Sequence, residues 1–273
     1  MNCLIVRVLT ALIGLPFIFL LLHIGKWPLQ LAVLFCAFVC LYEIYTALSK
    51  KFMPIHILGY LLSAAYIFIL KDFTFIKFIV VFSSFIILLL VFLVFFHSNI
   101  NIIDCITTLF GFFYVTFLLS FIILVRRQLY GEFFVWLIFI SGWGCDTFAY
   151  FAGHIFGRHK LIPNLSPKKT VEGAIGGVLG STLLGILYCN LFAGYFDIHY
   201  LNLTMLCATI CSTCSVFAQL GDLSASAIKR YVNLKDYGNI LPGHGGFLDR
   251  FDSILFTAPV VYIFLYFIRN FGG

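Results

Sequence analysis

Charge is scarce in this chain of 273 residues. Lys, Arg, Asp and Glu together make up 10% of it, while 62% is hydrophobic. So little charge excludes a water-facing surface over most of its length. Apolar runs such as "FIVVFSSFIILLLVFLVFF", residues 78–96, have no polar face and must lie in lipid or against other helices. The short dyad alternation of a membrane barrel is missing. Paired zinc-binding cysteines are missing too. Of nine Cys, Cys3 and Cys145 lie close to span ends or polar turns and the others lie inside apolar runs, including the CxxC of Cys211 and Cys214. They read as small apolar filler. Gly173, Gly176, Gly177 and Gly180 lack the Lys-Ser/Thr that would follow in a phosphate loop. Their GxxxG spacing reads instead as close helix packing. No Ser/His/Asp arrangement, sequence repeat or inverted repeat stands out.

What is present predicts an all-α, polytopic integral membrane protein with about nine transmembrane helices. The spans fall at 4–24, 28–47, 54–70, 74–96, 103–125, 133–153, 171–193, 201–222 and 252–270. The first has Arg7 inside it and no small-residue cleavage site after it, so it reads as an uncleaved span. Nine spans put the termini on opposite sides. With the N-terminus in the cytoplasm, ten Lys and Arg lie inside and six outside, which places the two long basic loops, after spans six and eight, in the cytoplasm. The expected location is the inner (cytoplasmic) membrane. A net charge of +6 suits anionic lipid at that surface, and an anionic substrate equally.

Composition divides the chain near residue 130. Residues 1–130 form a hydrophobic transmembrane region rich in Phe, Ile and Leu. Arg7 and Glu43 are its polar exceptions, both expected to snorkel to the interface. Residues 131–273 form a transmembrane region where small and polar residues gather, and this is the candidate catalytic part.

Three patches there point to chemistry. In "WGCDTFAYFAGHIFGRHK", Asp146 sits inside an apolar span, with Tyr150 one turn on. A carboxylate at mid-bilayer costs about 2.5–3.5 kcal/mol, so it should face a cavity or a partner. In "NLSPKKTVEG", Ser166 and Pro167 stop the preceding helix. Lys168, Lys169 and Thr170 then lead into a new one, with Glu172 in its first turn. Lysines beside a helix N-terminus suit an anion, though they also serve as positive-inside markers. The third patch runs from Gly221 to Ser253. Asp222, Ser226 and Lys229 or Arg230 form one helical stripe, and Asp249 and Asp252 sit three apart. Gly245 and Gly246 permit close backbone approach. Asp222 and Asp249 come from consecutive spans and supply the oxygen ligands that magnesium needs, with Lys and Arg for phosphates.

The stretch "SAIKRYVNLKDYGNILPGHGGFLDRFD", Ser226 to Asp252, resembles the signature of phosphatidate cytidylyltransferases, also called CDP-diacylglycerol synthases. Upstream, "DTFAYFAGHIFGRHKLIPNLSPKKTVEG" is similar to the family's second block, with His154 where that pattern has Arg. The likeness covers the second half of the chain. It implies that CTP and phosphatidic acid give CDP-diacylglycerol and pyrophosphate with Mg2+, on metal ligands Asp222 and Asp249, a second, monovalent cation being an open addition. With the patches, it makes Asp222, Asp249, Lys229, Arg230, His244 and Arg250 the candidate catalytic residues. The candidate substrate-binding residues are Asp146, Ser166, Lys168, Lys169, Glu172, Ser226, Lys235, Asp236, Gly245, Gly246 and Asp252. The expected partners are CTP, phosphatidic acid and the bilayer, not nucleic acid, with a homodimer as candidate assembly.

Two other readings compete. A CTP-dependent polyprenol or phytol kinase would release CDP instead of pyrophosphate. A transporter would also carry polar residues in its spans, but no matching broken helices are visible. The expected topology has a direct check. Single cysteines at Asn164 and Asn239, in a background free of native cysteines, should react only from the cytoplasmic face. Reaction of either with an impermeant reagent outside intact cells would overturn it.

Overall fold

Inside a bilayer every backbone N–H and C=O must find its partner within the protein, and helices do so segment by segment. The computed structural model describes residues 14, 16–72, 74–196, 202–240 and 245–271, and it is helical almost throughout. Seven of its helical segments are long and apolar enough to cross a membrane. They match seven of the nine expected spans. The expected span 4–24 falls largely outside the described residues, Arg7 included. The expected span 54–70 is a helix of 14 residues closed by a three-residue 3₁₀ turn, which leaves it at the short end of what spans a bilayer.

The chain forms two compact units. The first comprises Met1–Ser120 and Val232–Leu248, the second Phe121–Tyr231 and Asp249–Gly273. The polar loop after residue 231 therefore belongs with the N-terminal helices.

In the first unit, α1 (Lys26–Leu48), α2 (His56–Ile69) and α3 (Phe75–Phe95) precede α4 (Ile102–Gly111). α4 continues through a π turn, Phe112–Phe117, into α5 (Leu118–Arg126). Asn101 and Asp104 form a reciprocal capping box at the start of α4. Asp104 also accepts from Met53 N at 2.6 Å, and Thr108 accepts from Ile55 N at 2.8 Å. These bonds hold the turn between α1 and α2 against α4. Tyr45, fully buried, donates to Thr108 O at 2.7 Å in the same place.

The first unit corrects the reading of Glu43. It does not snorkel: it is 1% exposed, and both carboxylate oxygens accept backbone N–H groups, those of Phe247 at 2.8 Å and Leu248 at 2.7 Å. A carboxylate stays charged in an apolar setting when hydrogen bonds to it replace water.

The second unit takes in α5 from Phe121 onward and continues with α6 (Gly131–Phe139), which passes through a π turn at Ile140–Gly144 into α7 (Cys145–Phe156). An antiparallel hairpin follows, β1 (Lys160–Ile162) with β2 (Ser166–Thr170), pairing Lys160 with Thr170 and Ile162 with Ser166. Pro167 fits an outer strand because it has no N–H to offer. Thr170 then caps α8 (Val171–Phe192), accepting from Gly173 N at 3.1 Å. α9 (Leu203–Tyr231) and α10 (Leu248–Phe271) complete the unit. Both run further into the polar loop than the apolar pattern suggests, so Ser226, Lys229, Arg230 and Asp249 are all helical.

Small residues bring α7 against α8. A Cβ on Gly177 would lie 2.9 Å from both the carbonyl oxygen and Sγ of Cys145, and one on Gly180 would collide with the Phe148 ring. Across the next groove, Ser181 and Ser215 join α8 to α9 by a hydroxyl–hydroxyl hydrogen bond. Thr257 Oγ1 donates to Ile138 O at 3.2 Å, tying α10 to α6. The described cysteines are unbridged, and all but Cys36 are buried, in keeping with their reading as filler.

Gly177→Leu should lower the thermal stability of the detergent-solubilised protein by about 1–3 kcal/mol through overpacking. Gly194→Leu, at a position with nothing within 4 Å of the added Cβ, should leave the melting temperature essentially unchanged. Equal melting temperatures for the two variants would rule out the close packing of α7 on α8.

Candidate functional site

The ends of α7, α9 and α10 and the hairpin strand β2 surround a cavity of about 450 Å³ in the second unit. Four carboxylates line it: Asp146 from α7, Asp222 from α9, and Asp249 and Asp252 from α10. Lys168, Lys169 and Arg250 line it as well. Each position has a local cause. The π turn with Gly142 and Gly144 directly precedes Asp146, and such turns shift the face a helix presents. Asp249 falls in the first turn of α10, where an acidic side chain complements the positive end of the helix dipole. Strand β2 delivers its lysines to the cavity just before Thr170 starts α8.

Two lysines answer two of the carboxylates. Lys169 forms an ion pair with Asp222, and Lys229 pairs with Asp249 at 2.5 Å, with side chains only 11% and 9% exposed. Asp252 is 5% exposed, and one of its oxygens accepts from the adjacent Ser253 N at 2.8 Å. Ser253 Oγ donates to Asp146 at 3.3 Å. Asp146, Asp222 and Asp252 all line the same cavity. Such concentrated negative charge needs cations, and the donor set is carboxylate oxygen, which suits a hard divalent ion. Among the described residues no three His, Cys, Asp or Glu gather into a metal site by themselves. A magnesium ion held here would draw one or two ligands from Asp222 and Asp249 and the others from phosphate and water, its usual habit.

The predicted site residues fall in different places. Asp146, Lys168, Lys169, Asp222, Asp249, Arg250 and Asp252 converge on the cavity. Ser226, Lys229 and Arg230 continue the α9 stripe beyond it, and Lys229 reaches it through Asp249. Ser166 opens β2, and it does not line the cavity. Glu172, predicted to bind substrate, does not line the cavity either. Its carboxylate accepts from the backbone N–H groups of Arg158 and His159 at 3.1–3.2 Å and meets His159 Nδ1 at 2.6 Å. It ties the start of α8 to the approach to β1. Lys235, Asp236, Gly245 and Gly246 belong to the first unit, and His244 lies outside the described residues.

Residues beyond the candidate site residues also lie in or beside the cavity. Gln219 lies three positions before Asp222 on the same helical face, and its Nε2 donates to Ala174 O at 3.0 Å. That i, i+3 spacing from Asp222 was a usable signal. Tyr150 and His154 line the cavity with rings nearly parallel, 6.2 Å apart. Trp143 Nε1 donates to Arg250 O at 3.0 Å, a long-range contact with no local signature.

A family model described as the cytidylyltransferase family matches residues 5–268. Among similar curated proteins are three phosphatidate cytidylyltransferases. That of Thermotoga maritima is 41% identical over 150 residues, 55% of this chain and 55% of the relative. That of Bacillus subtilis is 43% identical over 136 residues, 50% of this chain and 48% of the relative. That of Rickettsia bellii is 40% identical over 144 residues, 53% of this chain and 62% of the relative. The aligned stretch of this chain thus spans about half the length of the first relatives it matches.

The buried pair of Lys229 and Asp249 makes a stability prediction. Lys229→Met takes the ion-pair partner from a buried carboxylate and should cost about 3–5 kcal/mol, whereas Lys229→Met with Asp249→Leu should recover most of that loss, because a hydrophobic replacement of a buried pair is often neutral. Thermal denaturation of the three proteins checks it. A double variant no more stable than Lys229→Met would show that the pair is not what the site depends on.

Proposed function

Because the chain belongs to the cytidylyltransferase family, we propose that it is a phosphatidate cytidylyltransferase. In this reading it makes CDP-diacylglycerol and pyrophosphate from CTP and phosphatidic acid for phospholipid synthesis. The observation that supports this most is the cavity itself. Four carboxylates and three cationic side chains face one space in a unit built of membrane-spanning helices. A soluble triphosphate and a membrane-held phosphate lipid can meet only where bilayer and cytoplasm adjoin.

The chemistry asks little of a general base. The phosphate monoester of phosphatidic acid has a second pKa of about 6, so it is largely ionised near neutral pH. One of its oxygens attacks the α-phosphorus of CTP. A new P–O bond forms, the bond from the α-phosphorus to the bridging oxygen breaks, and pyrophosphate leaves with that electron pair. The obstacle is the meeting of two polyanions, so positioning and charge neutralisation do the catalytic work. Lys168, Lys169 and Arg250 would meet phosphate oxygens by charge-assisted hydrogen bonds. Asp222 and Asp249 would hold magnesium, which when bound supplies positive charge to the phosphates. Lys169 and Lys229 hold those carboxylates in place and limit their mutual repulsion. Asp146 and Asp252, beside them, would orient water or a cation. The proposed setting is the inner membrane with the site on the cytoplasmic side.

The test is direct. Purified protein given cytidine-labelled CTP, phosphatidic acid and magnesium should yield labelled lipid and pyrophosphate. Release of labelled CDP with no labelled lipid would favour a lipid kinase instead. Asp222→Asn and Asp249→Asn should each cut turnover by about a thousandfold or more, as loss of preorganised charge at a phosphoryl-transfer site does. Wild-type turnover in either variant would remove that residue from the metal site.

A further inference from the structure

We propose that Glu43, in the N-terminal half of the chain, is a positioning residue for the reaction: its carboxylate fixes the polar loop and the first turn of α10, and thereby the place of Asp249. The proposal rests on the role given to Asp249 above.

The start of α10 is met by a carboxylate from far away in the chain. A helix N-terminus leaves N–H groups without partners, and a Ser, Thr, Asp or Asn just ahead usually takes them. Here the residues ahead of Leu248 are Gly245, Gly246 and Phe247, none with a side-chain acceptor. Glu43 fills that role from 205 positions away, one oxygen on Phe247 N and the other on Leu248 N. Its negative charge also answers the positive end of the helix dipole. The loop meets the same carboxylate a second time, at Gly238. A Cβ there would stand 2.6 Å from Glu43 Oε1, so only glycine lets the chain pass this close. Gly245, at φ +85°, then turns the backbone into the helix.

Two consequences follow. The N–H groups of Phe247 and Leu248 are occupied by a carboxylate, so these two are not open to a phosphate. The residue after Leu248 is Asp249, in the same helical turn, so any shift of the cap moves it. Glu43→Gln replaces one acceptor oxygen by an NH₂ that can only confront a backbone N–H. Gly238→Ala acts on the same contact from the other side, by crowding the carboxylate.

Hydrogen exchange of the full-length detergent-solubilised protein, read on peptides covering 245–250, reports the cap without reference to activity. Glu43→Gln should speed exchange at Phe247 and Leu248 about tenfold or more, since a charge-assisted hydrogen bond is lost. Turnover should fall by a similar factor, about tenfold, with the magnesium concentration for half-maximal rate rising while KM for phosphatidic acid stays within about twofold. A purely structural role would leave the magnesium requirement unmoved in the folded fraction. Should Glu43→Gln fail to accumulate, Gly238→Ala carries the same expectations. Unchanged exchange, or faster exchange with an unchanged magnesium requirement, would overturn the proposal. Full activity in Asp249→Asn would overturn instead the assignment of Asp249, a result distinct from anything exchange at Phe247 and Leu248 reports.

Discussion

A carboxylate away from bulk water must be answered by a partner, or it loses its charge or destabilises the fold. Several acidic groups among the described residues meet that constraint, each in its own way. Lys169 answers Asp222, and Lys229 answers Asp249. Ser253 serves Asp146 and Asp252, through its hydroxyl and its backbone N–H. Backbone N–H groups answer Glu43 and Glu172. Asp104 is met by the backbone at Asn101 and Met53. The two lysine pairs set positive charge against Asp222 and Asp249, and a site for polyanions and their counter-cations needs such matched charge.

The helices around the site are positioned by size as much as by charge. Glycines on one face of α8 let α7 approach until backbone and side chains touch, and hydroxyl groups close the next groove toward α9. In lipid there is little hydrophobic drive between helices, so close packing and buried hydrogen bonds must supply association. The same close approach brings Ala149 and Gly153 of α7 to the cavity beside Gly173 and Ala174 of α8. Packing and chemistry thus share one seam. A bulky residue in that seam would disturb both.

The function of the polar stretch 229–253 divides at Leu248. On one side, Lys229 and Asp249 to Asp252 belong to the cavity unit. On the other, Val232–Leu248 packs with the N-terminal helices, where Glu43 receives it. A segment so rich in charge, between two apolar ones, is therefore more than a solvated connection. Its ends extend the helices that carry the site, and its middle is held by a buried carboxylate.

The class of fold and much of the cavity can be read from the order of residues alone. Apolar run length marks a membrane span because bilayer thickness is nearly constant, so seven spans were legible within a few residues. Asp146, Lys168, Lys169, Asp222, Asp249, Arg250 and Asp252 were legible because charge in an apolar chain is conspicuous. Helical spacing could place Asp222 with Ser226, but not Lys169 with Asp222, because spacing orders residues within one helix and is silent between helices. Only the tertiary structure decided those pairings. It also turned Glu172 toward the backbone at Arg158 and His159, added Gln219 to the cavity, and set Trp143 against the backbone of Arg250. Glu43 shows the limit most clearly. On its own helix it looked like a residue reaching for the interface. Its partners lie 204 and 205 positions later in the chain, and no local pattern can anticipate a cap supplied from so far away.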